Sequence, residues 1–221
     1  MKYQKKIRMK KKVKIWTEAE LVDTFGLDKS KLTAPLLVEW LDAETQLNPF
    51  EQVVFDRISR DVQEFVEAWG EEDLKMNFIA FVIDLANLKS SKYIRTFFEK
   101  TVEATVEGHY LKTKTDFMIA KGVLDLVKTP YFHFQEYKRD KDPYGDPMAQ
   151  LVEAFLIAQE KNKNGKPLYG CCVVGRFWYF VTMEGKNYCV SSAFDATIEP
   201  ELLKIIAILR KFKWILDTRL V

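Results

Sequence analysis

Thr113-Lys114-Thr115-Asp116-Phe117-Met118-Ile119-Ala120-Lys121-Gly122, then Tyr131-Phe132-His133-Phe134-Gln135-Glu136-Tyr137-Lys138-Arg139, then Asp146-Pro147-Met148-Ala149-Gln150: the fold is decided along this stretch. The first two runs are rich in aromatic and β-branched residues and flank a Pro-containing turn, so they read as consecutive strands. Side chains alternate between the faces of a strand. That places Phe132, Phe134, Glu136 and Lys138 on one face, two apolar residues followed by two charged ones. Asp116, Met118 and Ala120 share a face of the preceding strand, and His133 lies on the face away from Glu136. A carboxylate and an ammonium at the end of a core-facing row are costly unless paired or used. Asp116 is placed to come alongside them.

The neighbours of this stretch extend the pattern. Asp146 caps a helix and Pro147 is its first residue, so Gln150 falls in the first turn, close to the loop that follows Lys138. Residues 168–175 form a dense apolar run, as in a strand buried on both faces. A helix linking that run to the strand at 131–138 makes a right-handed crossover, so the two strands are expected to be parallel. Upstream, 95–107 and 110–121 read as a hairpin turning at Gly108-His109. Downstream, 177–182 and 187–190 read as another, turning at Glu184-Gly185. Thr197 opens a last helix with an apolar seam of Leu202, Ile205, Leu209, Phe212 and Leu216. The fold class is therefore α/β: a mixed β-sheet core flanked by helices, with an N-terminal helical extension.

That extension begins with a basic tail over residues 1–14, where Lys2, Lys5, Lys6, Arg8, Lys10, Lys11, Lys12 and Lys14 form a cluster suited to phosphates. Residues 15–70 read as a helical subdomain. Thr17-Glu18-Ala19-Glu20 is a capping box and Gly26 a helix stop. A second short helix covers 34–41. Asn48-Pro49-Phe50-Glu51 opens a third, with an apolar stripe of Val54, Ile58, Val62, Phe65 and Trp69. The stripe is expected to pack on the rest of the protein or on a partner, which makes a homodimer or a partner subunit the expectation at these helices. Gly70 breaks the pattern, and the domain at 71–221 opens with a helix that turns Leu74, Phe78, Val82 and Leu85 inward.

Composition bounds the rest. At 221 residues and 48% hydrophobic, the chain is long enough for one domain with an appendage. The net charge of +2 is too small to mark a nucleic-acid binder by itself. No apolar run reaches the length of a membrane span, and the basic start lacks the apolar segment of a signal peptide. No membrane association is expected. Cys171, Cys172 and Cys189 lack zinc spacing and are expected to be buried, reduced thiols of a cytoplasmic protein.

Asp116, the triplet Glu136-Tyr137-Lys138 and Gln150 on the next helix, in that order, resemble the PD-(D/E)XK nuclease superfamily, which has the restriction-endonuclease-like fold. The likeness covers roughly 71–190 and is nearest in feel to type I restriction and repair nuclease-like domains. Thr115 stands where the name-giving Pro would be, and Ala154 stands where some branches carry a Tyr four residues after the Gln. The resemblance implies a Mg2+ (or Mn2+) ion held by Asp116, Glu136 and a carbonyl of residue 137. Glu71 or Glu72 is a further ligand, with Glu72 the choice, although acidic residues in a first helical turn also suit the helix dipole. It makes Asp116, Glu136, Lys138 and Gln150 the catalytic set.

The chemistry suits those groups. A hard cation takes carboxylate oxygens, activates water and offsets the charge that builds on a phosphodiester. Lys138 would orient or deprotonate the water or neutralise the transition state, and Gln150 would position Lys138 or the water. Arg139 and Lys141 would hold a nucleic-acid backbone. The expectation is a metal-dependent nuclease acting on DNA in restriction, repair or mobile-element traffic. The alternatives are a catalytically silent nucleic-acid-binding or assembly module on the same fold, and an interaction protein built on the N-terminal helices.

Overall fold

The computed structural model describes residues 14–30, 34–88, 93–139 and 146–221. Among them, eight strands form one mixed sheet: β1 (Asp28–Ser30), β2 (Ile94–Val106), β3 (His109–Val123), β4 (Leu126–Lys138), β5 (Leu168–Val174), β6 (Phe177–Glu184), β7 (Asn187–Val190) and β8 (Phe194–Asp195). Their order is β1-β7-β6-β5-β4-β3-β2, with β8 beside β6. The β4–β5 pair is parallel, as the crossover requires, and so is β1–β7. The helices are α1 (Glu18–Phe25), α2 (Pro35–Leu41), α3 (Pro49–Phe65), α4 (Glu71–Leu74), α5 (Ala80–Leu85), α6 (Pro147–Asn162) and α7 (Glu199–Ile215). The fold is thus mixed α/β, a mixed sheet flanked by helices. No helix among the described residues is long and apolar enough to cross a membrane.

Local chemistry explains where the helices start. The Thr17 hydroxyl accepts from Glu20 N–H while the Glu20 carboxylate accepts from Thr17 N–H, and Asn48 and Glu51 repeat the arrangement at α3. Gly26 ends α1 in the left-handed region at φ 58°. Asp146 caps α6 by accepting from Ala149 N–H at 3.0 Å, and its other oxygen accepts from Glu18 N–H at 3.1 Å. One carboxylate therefore ties the first turns of α1 and α6 together.

Two apolar layers sandwich the sheet. One is built from α2, α3, α5 and α7 and holds Trp40, Phe55, Phe78, Phe117, Phe180 and Phe212. The other, under α1 and α6, holds Phe25, Met118, Phe134, Phe155, Cys172 and Tyr188. All five seam residues of the last helix are buried, so it covers a sheet face. Segment 15–70 contains the strand β1 and shares its core with the sheet, which departs from the purely helical subdomain expected.

Three further expectations are corrected. First, the α3 stripe is rotated. Phe55, Ile58, Ser59 and Val62 are buried on α3, and Val66 beyond it, whereas Phe65 is 44% exposed. From Phe55 to Val66 the buried positions keep regular α-helical steps of three and four, so the inward face runs through Val66 rather than Phe65, and a 3₁₀ turn over Val66–Ala68 then ends the helix. Second, the helix after Gly70 is not one α-helix: a π-helical turn, Lys75–Ile79, separates α4 from α5. Leu74, Phe78, Val82 and Leu85 are nonetheless all buried.

Third, β4 begins at Leu126, the turn lies at residues 124–125, and Pro130 is inside the strand. The register pairs Ile119 with His133 but Ala120 with Tyr131, so Phe132 is the extra residue of a bulge. Phe132 is thereby moved to the layer under α7, away from Phe134. A bulge frees backbone groups that must find other partners. Asn162, at the end of α6, supplies them: Tyr131 N–H donates to its Oδ1 at 2.8 Å, and its Nδ2 donates to Tyr131 O at 2.7 Å.

Asn162→Ala leaves two backbone groups of the bulge without a partner. It should cost about 1–3 kcal/mol and lower Tm by roughly 2–4 °C per kcal/mol in thermal denaturation. An unchanged Tm would show that solvent satisfies the bulge unaided.

Candidate active site

The β3–β4 ladder stops at the pair Phe117–Gln135. Carried one residue further, that register sets Asp116 against Glu136. The strands do not pair there. Asp116 Oδ2 accepts the Tyr137 N–H at 2.8 Å, so a side chain takes the hydrogen bond that the ladder gives up. On the other side of β3, Glu99 lies between the pairs Phe98–Phe117 and Lys100–Thr115, opposite Asp116. Its φ of 54° is left-handed, a conformation that costs a non-glycine residue of order 1–3 kcal/mol. Its carboxylate lies close enough to that of Asp116 for the two to influence one another's ionisation. Three carboxylates from three adjacent strands thus gather where the sheet opens.

Cations enter from the helix side and from the strands. Lys75, first residue of the π turn, is 16% exposed. Its Nζ lies 2.9 Å from Asp116 Oδ1, 2.8 Å from Glu71, 3.3 Å from Glu99 and 3.5 Å from Glu72. Glu71 also meets Lys138 Nζ at 3.4 Å, and Lys114 pairs with Glu99.

The electrostatics follow from burial and these partners. Burial, and then the neighbouring Asp116 charge, push the fully buried Glu136 carboxyl well above the usual range. Its Oε1 has no hydrogen-bond partner. Burial also raises Asp116, against the opposing pull of Lys75 and the Tyr137 N–H. For Lys75, burial works against the charge, but the hydrogen bonds to Asp116 and Glu71 outweigh it and hold the ammonium above its ordinary value. Burial likewise opposes the ionised form of Glu71, and Lys75 and Lys138 reverse the balance to lower it.

Asp116, Glu136 and Lys138 are therefore brought to one place. Glu72 is not: its side chain is 84% exposed, and Glu71, one residue earlier, faces the lysines instead. The start of α4 decides this, because i and i+4 share a helix face and Glu71 is four before Lys75. Gln150 lies in the first turn of α6, with its Oε1 buried and lacking a hydrogen-bond partner, and it makes no hydrogen bond to the three. Arg139 is exposed beside Glu67, Gly175 and Arg176. Lys141 and residues 1–13 of the basic tail lie outside the described residues.

Two participants escaped the sequence reading. Lys75 with Glu71 reads as an ordinary surface pair. Glu99 was hidden by the turn: a hairpin turning at 108–109 would set Thr101 against Asp116, whereas the observed turn at 107–108 sets Glu99 there.

The opposite face of β4 is polar but closed. Tyr137 Oη donates to Gln135 Oε1, and Gln135 Nε2 lies 2.8 Å from His133 Nε2. Burial lowers His133 to about 3, so the ring is neutral, packed among Trp40, Phe117 and Phe212. As parity indicated, it takes no part in the acidic cluster.

Among the described residues, no three His, Cys, Asp or Glu side chains form a ready-made metal cage. The donor set nonetheless fits a hard cation: two facing carboxylates, one with a buried oxygen lacking a partner. Cys172, which pairs with Glu136 across β4 and β5, is beside them, but burial pushes its thiol up to about 12 and keeps it protonated, a weak ligand. Water would complete the coordination, as it commonly does for Mg2+. Comparison with protein-family models gives no match, and comparison with curated proteins gives none.

The raised Glu136 carboxyl has a defined signature. Above the unfolded value near pH 4.3 the unfolded chain loses this proton while the folded protein keeps it. The group therefore reduces stability as pH rises through that window, by up to about 1.4 kcal/mol per pH unit. Glu136→Gln removes the effect. Its Tm should match the wild type near pH 4 and exceed it at pH 7. A lower Tm at pH 7 would mean that the folded protein holds the ionised carboxylate favourably.

Proposed function

We propose that the protein is a nuclease dependent on Mg2+ or Mn2+, cleaving phosphodiester bonds of DNA on a restriction-endonuclease-like fold. The observation that carries this reading is the approach of Asp116 to Glu136 where β3 and β4 part, with Glu136 Oε1 buried and lacking a partner. Carboxyl groups are rarely buried without a use.

Asp116 and Glu136 would hold the cation. When bound, the ion supplies an acidified water and offsets charge on the phosphate. Lys138 follows Glu136 by two residues on the same strand, so its ammonium can orient that water and can stabilise charge on the phosphate. Glu71 keeps Lys138 in place at 3.4 Å. Gln150 offers its free amide oxygen from the first turn of α6. Arg139, Lys141 and the basic N-terminal residues would grip the DNA backbone without reading sequence. The cysteines are buried, in keeping with a reducing cytoplasmic setting.

A second reading, a catalytically silent nucleic-acid-binding or assembly module, is favoured by one observation: the Lys75 ammonium already neutralises Asp116.

Supercoiled and linear DNA incubated with Mn2+ separates the two. The nuclease reading expects cleavage that EDTA abolishes and that falls at least 100-fold in Asp116→Asn and in Lys138→Met, the scale of lost acid–base and electrostatic catalysis. DNA binding without cleavage at any Mn2+ concentration would leave the silent module.

A further inference from the structure

Lys75 holds an oxygen that the metal reading also needs. Asp116 Oδ2 is taken by the Tyr137 N–H, which leaves Oδ1 for a cation. That oxygen is the one Lys75 Nζ meets at 2.9 Å, and Glu71 completes the grip at 2.8 Å. The ammonium has three protons, and four carboxylates surround it. Leaving out the protonated Glu136, four carboxylates stand against the ammoniums of Lys75, Lys114 and Lys138. Negative charge is left over.

A second observation is independent of that cluster. Glu136 is fully buried and faces Asp116, yet its Oε1 has no partner. Lys75 thus satisfies Asp116 and leaves Glu136 unserved. A cation that bridges both acids would meet a demand the lysine does not. Lys75 also opens the π turn, a helical register that is rare and frequent at functional sites.

We propose that Lys75 is a built-in competitor of the divalent cation: its ammonium and the ion use the same oxygen of Asp116 and exclude one another, so the site stays closed until the metal displaces the lysine. This rests on the metal-site reading above. The lysine keeps the acids from repelling one another in the metal-free protein and sets a threshold of metal concentration for opening the site.

Titration calorimetry with Mn2+ alone, on the full chain, tests it. Lys75→Met keeps the length of the stem and removes the charge, so it should bind Mn2+ at least tenfold more tightly than the wild type. Binding by Lys75→Met with none by the wild type would support the proposal in its strongest form. Equal dissociation constants would overturn it and leave the metal site standing. No Mn2+ binding by either protein would overturn both the competitor and the metal site. Should Lys75→Met fail to fold, Lys75→Gln serves, together with amide hydrogen exchange of the wild type. Displacement predicts that exchange over Lys75–Ile79 changes with added Mg2+ while that over α7 does not. Unchanged exchange at saturating Mg2+ would overturn the competitor.

Discussion

The burial of Glu136 beside Asp116 sets the terms for everything near it. A carboxylate moved from water into a protein interior loses hydration worth several kcal/mol, and a second carboxyl alongside adds repulsion. The protein meets this cost in two ways. Glu136 is driven toward its protonated form, and Asp116 is supplied with the Lys75 ammonium and the Tyr137 N–H. Neither device serves Glu136 Oε1. The same arrangement seen from β2 explains why Glu99 sits in a left-handed conformation: its carboxylate then reaches both Lys75 and Lys114.

The rest of the fold holds these groups in place. β4 lies between β3 and β5, antiparallel to one and parallel to the other, and helices cover both faces. Gly170 on β5 lets α6 approach. A Cβ there would lie 2.7 Å from Phe134 O and 2.8 Å from the Phe155 ring, closer than atoms pack. That close approach brings the last residue of α6, Asn162, to the bulge in β4 and its first turn, with Gln150, toward the Lys138 end of the strand. The bulge decides which face Phe132 joins. Beyond it, Phe134 and Glu136 keep the parity that turns the acid toward Asp116.

Much of this was legible in the sequence, for identifiable reasons. Capping boxes, Pro at helix starts and Gly stops are local signals, so α1, α3 and α6 begin where the residues say they do. The parallel pairing of β4 with β5 followed from chain connectivity alone. Asp116 and Glu136 were found because charge at the end of an apolar row is costly. Long-range register was not legible. A one-residue shift of the β2–β3 turn, which moves the register by two residues, hid Glu99, the bulge at Phe132 had no compositional mark, and the π turn looked like continuous helix. Glu71 and Glu72 are chemically alike, and only the pitch of α4 distinguishes them. β1 is three residues long and takes its place from an edge supplied by β7.

The central claim is that Asp116 and Glu136 form a cation site that Lys75 occupies in part. A crystal grown with Mn2+ and examined by anomalous scattering addresses it most directly. An anomalous peak between the two carboxylates is expected, with Lys75 Nζ withdrawn from Asp116 Oδ1. An ordered site at saturating Mn2+ with no peak and the Lys75–Asp116 pair intact at 2.9 Å would contradict it.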